Sequence, residues 1–172
     1  MILIHQVAAI VDMGFTKELA AYVLGLTGVF TSPGMILWGT ASDRIGREWA
    51  YTLGSLAMIL GIVLLLNAGD PSRVWMLYAH TVFFALGFAS RQGLFPSIAA
   101  DLFHGGHFGA INGALALFIG AGSGIGPWLG GYLFDLFGNY YAAFWGANVI
   151  AAFSMLLIWI AGPRQVKAAE RN

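Results

Sequence analysis

Cysteine is absent from the chain, which removes disulfides and thiolate metal sites from consideration. Charge is scarce as well: 9% of the 172 residues are charged, against about 25% in an ordinary soluble domain. Basic and acidic residues number 8 each, so the net charge is zero and no basic patch invites nucleic acid. There is no nucleophile elbow, no phosphate-cradling glycine loop ahead of a lysine and no clustered pair of carboxylates. An enzyme is therefore not expected, and neither is a cofactor. His104 and His107 stand in a glycine turn with no third ligand close in sequence, which argues against a metal and for an interfacial position.

What is present is apolar. Hydrophobic residues make up 59% of the chain and the mean hydropathy is +0.77, the composition of a membrane protein. Long apolar runs predict an all-α membrane protein of six transmembrane helices, at residues 1–13, 17–41, 51–66, 74–100, 109–134 and 141–161, followed by a basic tail at 163–172. The first run would cover roughly 20 Å of a hydrocarbon core about 30 Å thick, so it is expected to be a truncated helix. Charge concentrates at residues 39–47, read as a short connection between two spans. Arg44 and Arg47 in that turn, with Arg164, Lys167 and Arg171 in the tail, outnumber Lys17 and Arg73 on the other side. The Lys/Arg rule then places the 39–47 turn and the carboxyl terminus in the cytoplasm.

An internal repeat is readable at an offset of 92 residues: Gly14, Gly28, Gly34, Gly39, Gly46 and Gly54 meet Gly106, Gly120, Gly126, Gly131, Gly138 and Gly146, and Asp43 meets Asp135. The offset pairs the second helix with the fifth, which run in opposite directions. Two inverted three-helix repeats are expected.

The Gly39-x-x-x-Asp43-Arg44-x-Gly46-Arg47 pattern resembles the loop signature of the major facilitator superfamily. The resemblance spans nearly the whole chain and implies one half of a twelve-helix fold. His5 to Phe15 resembles the seventh helix of monocarboxylate and oxalate/formate-type carriers, and His107-Phe108-Gly109 resembles the approach to their eleventh. The carboxy-terminal half is implied, since Val82 stands close to where the other half would carry an arginine and the chain runs into a basic tail soon after its sixth helix. Gly113-x8-Gly122-x3-Gly126-Pro127-x2-Gly130-Gly131 also resembles an antiporter glycine pattern. These resemblances imply a secondary carrier of the plasma or inner membrane for a small organic anion, a mono- or dicarboxylate. It would work with a proton or a counter-anion, and beside a missing amino-terminal half or a second copy. A non-transporting truncated helix bundle and half of a drug or metabolite efflux antiporter are the alternatives.

The candidate residues divide by chemistry. Arg91 lies within the fourth helix, where a central arginine costs about 2.5–3.5 kcal/mol, so it is expected to face the bundle interior or a wet cavity. Its planar fork suits a carboxylate, and Gln92 beside it, with Pro96 freeing the Gln92 carbonyl, makes the segment polar. An arginine that only ties helices together is the plainer reading. His5 and His80 are titratable candidates for the substrate path, or else helix-contact histidines. Asp43 sits at a helix carboxyl end, where the macrodipole disfavours a carboxylate, so it requires a partner and suits a gating latch with Gly39, Arg44, Gly46 and Arg47. Gly113, Gly120, Gly124 and Gly131 form one helical stripe and Gly122, Gly126 and Gly130 a second; both are expected at helix contacts, with bending at Pro127.

Overall fold

The computed structural model describes residues 1–103 and 107–162; His104, Gly105 and the basic tail with Arg164, Lys167 and Arg171 lie outside these residues. Six α-helices follow one another: α1 (Ile2–Asp12), α2 (Lys17–Ile45), α3 (Arg47–Leu66), α4 (Val74–Leu102), α5 (Phe108–Phe137) and α6 (Tyr141–Ala161), with a 3-10 turn at Pro71–Arg73. Four of them, α2, α3, α5 and α6, are long and apolar enough to cross a bilayer. The expected sixfold count is met by helix number but not by span quality. The 11 residues of α1 are too few, and α4, although 29 residues long, carries His80, Ser90, Arg91 and Gln92 along its length. The molecule is an all-helical, multi-pass membrane protein.

The charged turn at residues 39–47 is not a loop. Helix α2 continues to Ile45 and α3 starts at Arg47, leaving Gly46 alone between them at φ 95°. That positive φ is accessible to glycine at little cost and to other residues only with strain. Polarity here marks the end of the apolar layer, not the end of the helix. The Thr40 hydroxyl donates to the carbonyls of Ile36 and Leu37, and the Ser42 hydroxyl to that of Gly39, so these side chains are satisfied within helical backbone. Glu48 in the first turn of α3 suits the positive end of its macrodipole. Elsewhere the boundaries follow local signals. Thr16 caps α2 by accepting from the Leu19 amide at 3.3 Å, and Gly138 at φ 68° closes α5. Asp70 accepts from the Ser72 amide at 2.8 Å, and that backbone bond holds its carboxyl below the ordinary carboxylate range.

Packing is uneven. Helices α2 and α3 lie tightly on α4 through small residues, as membrane helices do where lipid supplies no hydrophobic drive. A Cβ on Gly61 would meet the backbone nitrogen of Phe84 at 2.6 Å, and one on Gly34 would meet the Ala89 Cβ at 2.8 Å. Gly54 sits against Ser90, and Gly87 against Met58. Between them, Ile10, Val23, Ile62, Leu65, Leu77, Phe84 and Phe144 form the main apolar core. Trp38 adds a cross-helix bond, its indole N–H donating to the Leu86 carbonyl at 2.8 Å. Helix α5 stands apart: of its residues, Gly130 alone is buried.

The links fall at two ends. Asp12, Leu66, Gly138 and Tyr141 line one cavity, so the α1–α2, α3–α4 and α5–α6 connections share an end. Arg47 reaches Asp101 at 3.0 Å, which puts the α2–α3 connection and the carboxyl end of α4 together at the other.

Candidate transport and gating sites

At the Gly46 end, one guanidinium gathers three helices. Arg47 Nε donates to Asp101 Oδ2 at 3.0 Å, and its Nη1 donates to Asp43 Oδ1 at 3.1 Å and to the Ser42 hydroxyl. Asp43 is at the carboxyl end of α2 and Asp101 at that of α4, where each helix dipole opposes a carboxylate; Arg47 is in the first turn of α3, where the dipole opposes a cation. Each member is badly placed by its own helix dipole and gains from the others, which suits a contact that holds helix ends yet can be released. The side chain of Asp43 is 68% exposed, whereas those of Arg47 and Asp101 are 17% and 19% exposed, so the Arg47–Asp101 pair is the stronger arm. Arg44 is exposed and Gly39 has open space where a Cβ would stand. Asp101 is a member the sequence reading did not name, although it shares with Asp43 a helix carboxyl end on the side of the arginines.

Arg91 does face the bundle interior, but toward α3 and α6. Its Nη1 donates to the Tyr51 hydroxyl at 3.0 Å, and its Nη2 donates to Ser55 Oγ at 3.3 Å and Ser154 Oγ at 3.1 Å. The Tyr51 hydroxyl donates to Ser154 Oγ, which passes its hydrogen to the Ala151 carbonyl at 2.7 Å. The charge is thus met by oriented hydroxyl dipoles and by the Tyr51 ring, 5.2 Å from the guanidinium carbon. No carboxylate forms an ion pair with it among the described residues. Gln92, one residue on, is exposed on a different face, so the two do not converge.

The histidines are separated. His80 is fully buried, its Nδ1 2.8 Å from the Gly61 carbonyl and its ring stacked on Phe84. A carbonyl only accepts, so Nδ1 carries the hydrogen. His5 bonds the Pro127 carbonyl across helices, Nε2 to oxygen at 2.9 Å, with its ring 5.3 Å from Tyr140. His107 is exposed at the start of α5, and no metal-binding cluster occurs among the described residues.

Of the two glycine stripes expected at helix contacts, the first is open along its length and the second makes contact at two of its three members. A Cβ on Gly126 would lie 3.6 Å from Met1 and one on Gly130 2.9 Å from the His5 ring, so α1 crosses α5 there. Gly113, Gly120, Gly122, Gly124 and Gly131 have nothing within 4 Å. Two buried amides, Gln6 on α1 and Asn148 on α6, went unnoticed in the sequence; neither has a hydrogen-bond partner among the described residues. A lone amide on an apolar helix carries no pattern that would single it out.

Known proteins resemble the chain over most of its length. It is 28% identical to a triacylglyceride transporter of Mycolicibacterium hassiacum over 90% of its residues, and 26% identical to protein spinster homolog 3 of Danio rerio over 91%. A triacylglyceride transporter of Mycolicibacterium smegmatis is 27% identical over 91%. The chain spans less than a third of these relatives, 28%, 31% and 27% of their lengths. No solved structure matches it. The description of the Major Facilitator Superfamily fits the chain from residue 1 to residue 172, and to that family of membrane transporters the chain belongs.

Proposed function

We propose that the chain is one six-helix half of a secondary carrier, the carboxy-terminal half, and that the complete protein moves a largely apolar or amphipathic substrate past α5. The observation that carries this reading is the surface of that helix. Leu117, Phe118, Ile125 and Trp128 are exposed on it, glycines stand between them with no neighbour, and its one charged residue is Asp135 near the end. Lipid can cover an apolar face, but a row of glycines on it suits the close approach of a second helical layer, and a path walled by it solvates acyl chains better than carboxylates. Two of the relatives are triacylglyceride transporters, which agrees with an apolar cargo. On this reading the Arg47 network is the gate, its end is cytoplasmic by the Lys/Arg rule, and the open glycines of α5 meet the other half of an inverted-repeat fold.

The test is uptake by the full-length carrier in proteoliposomes. A fluorescent acylglycerol should accumulate and be competed by unlabelled acylglycerol, whereas lactate and oxalate should neither accumulate nor compete. Accumulation of the carboxylates alone overturns the apolar reading. The second reading, a small organic anion, is favoured by one feature: the buried Nε of Arg91 has no partner among the described residues, leaving a donor for a carboxylate. Orientation has its own test, since the chain lacks cysteine. Asp70→Cys and His107→Cys should react with an impermeant thiol reagent from opposite sides.

A further inference from the structure

A cavity of about 420 Å³ opens at the Asp70 end of the bundle, between the end of α1, the end of α3 and the α5–α6 turn. Its size is in the range of small-molecule sites. The transport reading makes no use of it, because it lies at the bundle's end and not on the open face of α5. Three of its lining residues are aromatic, Phe134, Tyr140 and Tyr141, with the Phe134 and Tyr140 rings stacked 4.5 Å apart; Ala9, Met13 and Leu66 add apolar wall. Most polar atoms in it are spoken for, the Tyr141 hydroxyl by the Leu66 carbonyl at 2.8 Å and the Asn139 side chain by the Tyr141 amide and the Phe137 carbonyl. Asp12 is exposed and has no ion pair among the described residues. It supplies the only formal charge in the lining, and no lysine or arginine joins it. Burial first, then the Asp12 and Asp135 carboxylates, raise the Tyr140 hydroxyl above its ordinary value, so both negative groups are felt at the cavity wall.

We propose that this cavity binds an organic ammonium group, held by the Asp12 carboxylate and the surrounding aromatic rings. A quaternary or alkylated ammonium is too weakly hydrated to be well served by water and too bulky for a carboxylate alone. Aromatic rings with one negative charge suit it on both counts. Because the lining comes from α1, α3 and the α5–α6 turn, an occupant would also brace the short α1 against α5, to which it is otherwise joined by His5 and Met1. The ammonium has two sources, a free solute or a choline lipid headgroup.

Choline titrated by calorimetry into the full-length carrier, held in phosphatidylglycerol nanodiscs, should bind with one site. Its uncharged isostere 3,3-dimethyl-1-butanol should bind at least tenfold more weakly. Asp12→Asn should weaken choline at least tenfold, while Asp70→Asn at the same end leaves it unchanged. Equal binding of choline and the isostere overturns the proposal without any variant, as does full affinity in a folded Asp12→Asn protein. Repeating the titration in phosphatidylcholine discs separates the sources: affinity falls if a lipid headgroup fills the cavity and is unaltered if the ligand is a solute. None of these readouts depends on which substrate the carrier moves.

Discussion

Gly54, Gly61 and Gly87 lie where α3 and α4 approach so closely that an added Cβ would enter a neighbour, while Gly113, Gly120, Gly122 and Gly124 lie on α5 with no atom within 4 Å. The same residue type, in helices of similar apolarity, meets opposite surroundings. In the first group, glycine permits contact already made within these six helices. In the second, it leaves room for contact that they do not make themselves. Glycine carries a helix-propensity penalty of about 0.8–1.0 kcal/mol relative to alanine. A row of such penalties on a surface with no neighbour is costly unless something passes or packs there. The difference sets a closely packed block, the α3–α4 seam with the side of α2 that carries Gly34, against an α5 that is attached but not covered; Gly25 and Gly28 on α2 and Gly146 on α6 stand open as those of α5 do.

The largest effect is expected from a side chain placed in the first group. In Gly61→Leu the new Cβ would lie 2.6 Å from the Phe84 backbone nitrogen and 2.9 Å from its Cα. Backbone atoms cannot turn aside as a flexible side chain can, so α3 and α4 must separate. Overpacking costs about 1–3 kcal/mol in adaptable cores and more in rigid ones. Loss of monodisperse protein in size-exclusion chromatography, or a thermal midpoint lowered by many degrees, is the expected result. A normal midpoint would dissolve the distinction between block and layer.

Next comes Arg91, which stitches α4 to α3 and α6. Lysine offers a single ammonium in place of a fork, and cannot reach Tyr51, Ser55 and Ser154 together. Arg91→Lys should destabilise the bundle by about 1–3 kcal/mol, the scale for leaving buried polar groups unpaired. Acylglycerol transport per folded carrier should be retained. Unchanged stability with loss of carboxylate uptake would instead return Arg91 to the role of anion clamp.

How far these features were legible depends on whether they are local. Helices α2, α3, α5 and α6 were readable from apolar runs, because a membrane span must be both long and apolar; α1 and α4 were readable as helices but fall short as spans, one by length and the other by its polar residues. The boundary at Gly46 was missed by four residues on each side: expected ends at 41 and 51 became Ile45 and Arg47. Thr40, Ser42, Asp43 and Arg44 look like a loop by composition, but a helix emerging from lipid keeps its hydrogen bonds and merely changes its side chains. That Arg91 faces inward followed from its charge alone. Which neighbours it faces did not, since Tyr51 and Ser154 are 40 and 63 residues away and belong to other helices. The glycine stripes were visible as stripes, yet nothing in them distinguishes a covered stripe from an open one.

A smaller effect is expected at the Arg47 network. Asp101→Asn removes the better-shielded arm and leaves Arg47 to the exposed Asp43. Partly exposed ion pairs contribute about 0–1 kcal/mol, so the thermal midpoint should hardly move. A contact that weak still shifts a balanced conformational equilibrium severalfold, since 1.4 kcal/mol is a tenfold change. The transport rate should change while folding does not, and a double-mutant cycle with Arg47→Gln should give a coupling near that size in rate. Additive effects of the two substitutions would reduce the network to a solvated cluster of charges.

The smallest effect on the 172-residue chain belongs to Gly124→Ala, and it sharpens the comparison most. A methyl group there meets nothing within 4 Å, so no clash opposes it, and alanine gains about 0.8–1.0 kcal/mol of helix propensity where the backbone is exposed. If α5 of this chain is as uncovered as its surface indicates, the substituted chain should be as stable as the original or slightly more so in detergent. In the full-length carrier the same methyl group would stand where the other half, or the substrate, approaches the α5 backbone, and transport should fall severalfold. Gly120→Ala and Gly122→Ala should follow it, whereas Gly130→Ala, set against the His5 ring, should destabilise the chain itself. Measuring both quantities separates the explanations. Unimpaired transport in all three open-face variants would mean that lipid alone covers α5 and that its glycines serve no contact. A destabilised Gly124→Ala chain would mean that α5 already packs on something within these six helices, and the division between block and layer would not hold.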